Sequence, residues 1–75
     1  MDTDPHFPTK VARSVAAAIE AAGESTKSVA DATGIARVTL IRRLTGTTPF
    51  TVAELALIAR YLDTTPDKFM TEAAA

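Results

Sequence analysis

Residues 25–46 read STKSVADATGIARVTLIRRLTG and carry the signals of two short helices with a glycine between them. Ser25 is a favourable N-cap, because its side-chain oxygen can accept a hydrogen bond from a free backbone N–H of the first turn. Apolar residues recur at three- and four-residue spacing on both sides of Gly34. The pattern predicts two helices joined by a tight turn, over about Thr26 to Thr33 and about Arg37 to Thr45.

Similar signals flank this pair on both sides. A first helix is expected from a Thr9 cap to Gly23, a fourth from the capping box Thr51-Val52-Ala53-Glu54, and a fifth from Pro66. The side chains expected to face a shared core are Val11, Val15, Ala18, Ile19, Ala22, Val29, Ala30, Thr33, Ile35, Leu40, Leu44, Val52, Leu55, Ile58, Ala59, Leu62, Phe69 and Met70. With no strand candidate, the sequence predicts a compact five-helix, all-α bundle.

We divide the chain into an arm at 1–8, one domain at 9–72 and a frayed end at 73–75, with fraying expected from Thr71 onward. The 75 residues leave no room for a second domain. Without Cys there is no disulfide framework and no thiolate zinc site, and His6 is the only histidine, so no metal or other cofactor is expected. No apolar run approaches the roughly 20 residues of a membrane span, and no signal peptide is recognisable.

The formal net charge of −1 argues against a strongly basic nucleic-acid binder, but the charges are unevenly distributed. Between Asp31 and Glu54 lie 22 residues that contain three arginines and no acid. No nucleophile with an accompanying base, paired carboxylates or phosphate-binding glycine loop is visible, so an enzyme with a small-molecule substrate is not expected.

The stretch from Ser25 to Gly46 resembles the helix-turn-helix of the lambda-type repressor and Cro family, in its cap, its Val29-Ala30 pair, its turn glycine and its closing glycine. The likeness extends over about residues 11 to 70. It implies a five-helix lambda-repressor-like bundle in which the third helix enters the major groove of operator DNA. It further implies a transcriptional repressor of the phage-immunity or Cro kind in the cytoplasm of a bacterial host cell, with a homodimer on DNA as a possible arrangement.

The resemblance also implies which side chains meet DNA. The expected base contacts, taken from the family pattern or from the outer face of the third helix, are Arg37, Val38, Ile41 and Arg42. Arginine is suited to guanine, and the aliphatic side chains are suited to thymine methyl groups. The expected phosphate contacts are Thr26, Lys27, Thr39, Arg43, Thr45, Thr47 and Thr48. Two positions depart from the family pattern: Ala36 stands where relatives have a Ser or Thr cap, and an apolar Ile19 and Leu44 stand where many relatives bury an Arg–Glu pair.

Alternatives remain open for several of these residues. The three arginines could be ordinary solvated charges, and Arg43 could extend over the fourth helix instead of meeting DNA. Val38 and Ile41 could be core residues in a different packing, or they could belong to a protein contact, as in an antitoxin-type or other protein-interaction module that uses the same helices. Thr47 and Thr48 could be plain loop residues.

Overall fold

The computed structural model describes residues 6–74, and within that range it contains five α-helices and no strand. The helices are α1 (Phe7–Ala21), α2 (Thr26–Thr33), α3 (Arg37–Leu44), α4 (Val52–Tyr61) and α5 (Pro66–Ala74). The predicted all-α, five-helix bundle is therefore confirmed. In α2 and α5 the first residue is the predicted one, and α3 ends one residue earlier than expected.

The core lies where α1, α2, α4 and α5 converge on the inner side of α3. Its largest fully buried side chains are Val15, Val29, Leu40, Ile58 and Phe69. Helix α5 packs mainly along α1, whereas α2 packs on α3 and α4. The helix-turn-helix pair α2–α3 is thus held from behind by α1 and α4, which leaves the outer side of α3 free of neighbouring helices.

Two of the expected core positions are wrong. Ala22 is exposed because α1 ends at Ala21, and the chain then turns at Gly23, whose φ of 71° suits glycine. Val52 is 73% exposed because it is the first residue of α4 and projects from the helix end before the buried stripe begins at Leu55.

Both ends of the described range differ from expectation. Helix α1 begins at Phe7, so Thr9 lies inside it and is not its cap; Pro8 is suited to the first turn because it has no N–H to leave unpaired there. Fraying from Thr71 is not observed up to Ala74, because Ala73 is buried as part of the core. Residues 1–5 of the predicted arm and Ala75 lie outside the described residues. The domain limits 9–72 stay a prediction.

Candidate nucleic-acid interface

Helix α2 begins with a reciprocal cap. The Ser25 hydroxyl accepts the Ser28 N–H at 3.0 Å, and the Ser28 hydroxyl accepts the Ser25 N–H at 2.9 Å. Gly34 ends the helix with φ 78°, a left-handed conformation that glycine adopts without steric cost. The Ser25 cap and the turn glycine are confirmed. The role of Ser28 was missed, since the usual partner in such a box is Glu or Gln.

Helix α3 is positioned by its apolar inner side and lacks a side-chain cap. Ala36 makes no capping bond, as its residue type predicted. Leu40 is fully buried, Ile19 belongs to the core, and Leu44 packs partly buried against it, so apolar side chains stand at both positions where the resemblance implies a buried ion pair in many relatives. The inner side therefore fixes which side chains of α3 face outward.

The outer side of α3 combines positive charge with exposed aliphatic groups. Val38 is 66% and Ile41 45% exposed, and Arg37 and Arg42 are also exposed. Within residues 6–74, neither arginine side chain has a hydrogen-bond or ion-pair partner. All four predicted base-contact residues thus lie on or beside one open surface, which we call the α3 face (Arg37, Val38, Ile41 and Arg42).

Five of the seven predicted phosphate-contact residues form two groups, one at the start of α2 and one after α3. Thr26 and Lys27 are at the start of α2, where Lys27 pairs with Asp31 at 3.1 Å on the surface. The second group follows α3 and includes Thr45, whose hydroxyl is 3.2 Å from that of Thr47. Thr48 is exposed in the same loop, and Thr39 is half-buried within α3.

Arg43 is separated from both groups because its guanidinium points to α4. Its Nε donates to Glu54 Oε1 at 2.8 Å and its Nη2 donates to Glu54 Oε2 at 3.3 Å. The Arg43 side chain is only 18% exposed, and the Glu54 side chain is 14% exposed. Burial raises the pKa of Glu54, but the hydrogen bonds from Arg43 and from the Thr51 N–H outweigh it and hold the pKa below its ordinary value. The structure thus places Arg43 in an internal contact.

A second polar contact joins the end of α4 to the start of α2. Glu24 Oε1 accepts the Tyr61 hydroxyl and also the Ser28 hydroxyl, the latter at 3.0 Å. The hydrogen bond from Tyr61, followed by that from Ser28, lowers the pKa of Glu24, and the same contact with Glu24 raises the pKa of Tyr61. Sequence reasoning missed this contact, because nothing local links two residues that are 37 positions apart.

Other kinds of site find little support in the described part of the chain. No group of three or more His, Asp or Glu side chains is arranged to hold a metal ion there. None of the helices in residues 6–74 has the length and apolar character needed to cross a membrane.

Comparison with known proteins identifies one family. A helix-turn-helix family model of the Cro/C1 type matches residues 15–69, a range that includes the C-terminal part of α1, all of α2, α3 and α4, and the start of α5. Searches of curated proteins and of solved structures give no significant match.

Proposed function

The chain belongs to this helix-turn-helix family of DNA-binding transcription regulators, and from that premise we propose that it is a sequence-specific repressor of the phage-immunity or Cro kind. In this proposal α3 enters the major groove of an operator, and the bound protein blocks transcription by occupying the site. The observation that carries the proposal is the α3 face, where two arginines that have no partner among residues 6–74 flank two exposed aliphatic side chains.

Each residue type of the α3 face has a chemical counterpart in the major groove. Arg37 and Arg42 can each donate two hydrogen bonds to guanine O6 and N7, and such a contact discriminates against a wrong base by about 1–3 kcal/mol. Val38 and Ile41 have no donors and suit thymine methyl groups. Burying them against a base edge removes apolar surface from water, which a purely solvated helix face would leave exposed.

The backbone of the DNA would be contacted at both ends of the helix-turn-helix. We assign phosphate contacts to Thr26 and Lys27 at the start of α2, where free N–H groups and the helix dipole favour an anion. Thr39, Thr45, Thr47 and Thr48 supply hydroxyl or amide donors around α3. Arg43 is left out of this set because Glu54 already occupies its guanidinium.

The length of α3 favours binding by two copies. Eight residues rise about 12 Å, which corresponds to about three or four base pairs along the groove. One such helix contacts too few bases to define an operator. We therefore propose a homodimer on DNA, with half-sites about one helical turn apart.

The test begins with selection of preferred sequences from random duplexes, followed by fluorescence-anisotropy titrations of the selected and a scrambled duplex. We expect the selected duplex to bind more tightly, and Arg37→Ala and Arg42→Ala each to reduce this preference by about 5- to 150-fold. Arg13→Ala is the matched control, since Arg13 lies in the groove between α1 and α5. Undiminished preference in the Arg37→Ala/Arg42→Ala double variant would refute the assignment of α3. A reporter gene carrying the selected sequence in its promoter then tests repression.

The exposure of Val38 and Ile41 also favours a second candidate, an antitoxin-type or other protein-interaction module. Under this alternative a partner protein covers the α3 face. Ile41→Asp would then abolish copurification of one defined partner, and that partner would compete with DNA for the wild-type chain. DNA preference that is unaffected by the partner would count against it.

A further inference from the structure

Helix α4 makes a polar contact with the helix-turn-helix at each of its ends. Near its start, Glu54 holds Arg43 of α3. At its last residue, Tyr61 donates to Glu24, which immediately precedes the Ser25 cap of α2. The two contact residues of α4 are seven positions apart, and that separation corresponds to about 10 Å along the helix. The two helices expected at DNA are therefore each connected to the same rigid element.

The contact with α3 has a fixed carboxylate at its centre. Glu54 Oε1 accepts the Thr51 N–H at 2.9 Å, and the Thr51 hydroxyl accepts the Glu54 N–H at 3.1 Å. This capping box orients the carboxylate through contacts at the start of α4 that do not involve Arg43. Because the guanidinium is planar and donates from both Nε and Nη2, the contact restrains the rotation of α3 about its axis as well as its distance from α4.

The contact with α2 passes through its cap. Glu24 Oε1 accepts both the Tyr61 hydroxyl and the Ser28 hydroxyl, and Ser28 in turn accepts the Ser25 N–H. A chain of hydrogen bonds thus runs from the end of α4 to the first turn of α2. This chain lies at the surface, with Tyr61 41% exposed, and it adds a directional polar contact to the burial of Val29.

We propose that Glu54 and Tyr61 are positioning residues for operator recognition, acting together as the α4 brace (Glu54 with Arg43, and Tyr61 with Glu24). This inference rests on the proposed function. The apolar core sets how deeply α2 and α3 pack, but apolar contacts are non-directional, whereas hydrogen bonds weaken steeply with misalignment. Through Arg43 the brace restrains the rotation of α3, and through Glu24 it holds the start of α2, so the two contacts together fix the orientation of the helix-turn-helix on which paired base contacts depend. Phosphate attraction depends on this angle far less, because it is a longer-range charge effect.

Two conservative variants separate the brace from general stability. Tyr61→Phe removes only the hydroxyl, and Glu54→Gln keeps an oxygen that can accept the Thr51 N–H while it removes the charge that holds Arg43. Asp67→Asn is the charge-matched control for the second variant, since Asp67 is an exposed acid in the first turn of α5. The circular-dichroism spectrum and melting curve of each variant, compared with those of the wild type, establish that it is folded at the titration temperature.

The readout is the ratio of affinities for the selected and scrambled duplexes, measured over a series of salt concentrations. We expect Tyr61→Phe and Glu54→Gln each to lower this ratio about three- to tenfold, with the salt slope of the scrambled duplex unchanged. Asp67→Asn should keep the wild-type ratio. In amide hydrogen exchange, Tyr61→Phe should speed exchange in the first turn of α2 and leave α5 protected.

The possible outcomes distinguish the two proposals. A wild-type chain that does not discriminate between any duplexes overturns the proposed function and the brace with it. A discriminating wild type whose folded Tyr61→Phe variant keeps both the ratio and the α2 exchange rates overturns the brace alone. If Glu54→Gln is not folded, Tyr61→Phe decides the question, since it removes no charge and no buried apolar group.

Discussion

Replacing Arg43 by Met tests whether this arginine supports the fold or meets DNA. Sequence reasoning expected a phosphate contact, whereas the structure pairs its guanidinium with Glu54. Met keeps an unbranched apolar side chain over α4 and removes the charged group, so packing by the stem is largely retained. The substitution therefore isolates the two hydrogen bonds at 2.8 and 3.3 Å.

The expected loss of stability lies between two reference cases. Breaking a fully buried pair costs about 3–5 kcal/mol, and an exposed pair contributes at most about 1 kcal/mol. The Arg43 and Glu54 side chains keep 18% and 14% of their exposure, and Glu54 retains the Thr51 N–H as a donor. We therefore expect a loss of about 2 kcal/mol, which for a domain of this size lowers Tm by about 8–16 °C.

Urea denaturation gives the stability of the variant, and anisotropy titrations over a salt series give its electrostatic contacts with DNA. Affinity for DNA falls as salt rises, and each phosphate contact steepens the slope of log affinity against log salt by about 0.9. If Arg43 is internal, replacing it leaves that slope unchanged. Arg42→Met is the matched control, with the opposite expectation. Its stability should change by no more than about 0.5 kcal/mol, while its preference for the selected duplex should fall.

The reasoning is refuted if Arg43→Met keeps wild-type stability and lowers the salt slope by about 0.9. That result would mean that the guanidinium contacts phosphate in solution and that Glu54 is not its partner. The α4 brace would then lose one of its two contacts.

Three further predictions concern stability. Val29→Ala should lower the unfolding free energy measured in urea by about 2 kcal/mol, because it removes two buried methyl groups. Val52→Ala in α4 should be neutral or slightly stabilising, because Val52 is exposed and Ala is the better helix former; a loss equal to that of Val29→Ala would contradict the orientation of α4. The pKa of Glu54 lies below its ordinary value of 4.5, so at this residue the folded state binds fewer protons than the unfolded chain. Stability should therefore decline as pH falls from about 4.5 through the folded pKa, and Glu54→Gln should flatten this decline in urea denaturation at several pH values. Asp63→Gly should raise the unfolding free energy by about 0.5 kcal/mol, since Asp63 has φ 59°, and an unchanged or lower value would contradict that backbone conformation.

The elements that sequence predicted best are those encoded by neighbouring residues. The Ser25 cap, the Gly34 turn and the Thr51–Glu54 capping box each depend on contacts within a few positions, and all three are present. Helical periodicity alone was less reliable at helix ends. It placed Ala22 and Val52 in the core because it extends a stripe through residues at which the helix has ended or only just begun.

Contacts between distant elements were beyond the sequence pattern. The α3 face followed from the inward orientation of Leu40, which its four-residue spacing from Leu44 indicates. Arg43 shares that helix, but its direction is decided by a carboxylate 11 positions away on α4. No sequence pattern indicated a contact for Tyr61, since its partner Glu24 lies in the loop between α1 and α2, 37 positions away. Side-chain direction in these cases is a property of the packed bundle and not of any one helix.

The internal pairing changes how DNA affinity is expected to arise. Of the three arginines in the acid-free stretch, Arg43 is neutralised by Glu54, and Lys27 at the start of α2 is offset by Asp31. The charge available to DNA on the α3 face is then that of Arg37 and Arg42, in a chain whose formal net charge is −1. With so little positive charge, we expect weak non-specific binding to phosphate, which would not mask the discrimination proposed for Arg37 and Arg42. Under the proposed function, this small positive charge limits the affinity of one copy, and we expect a second copy on the operator to supply tight binding.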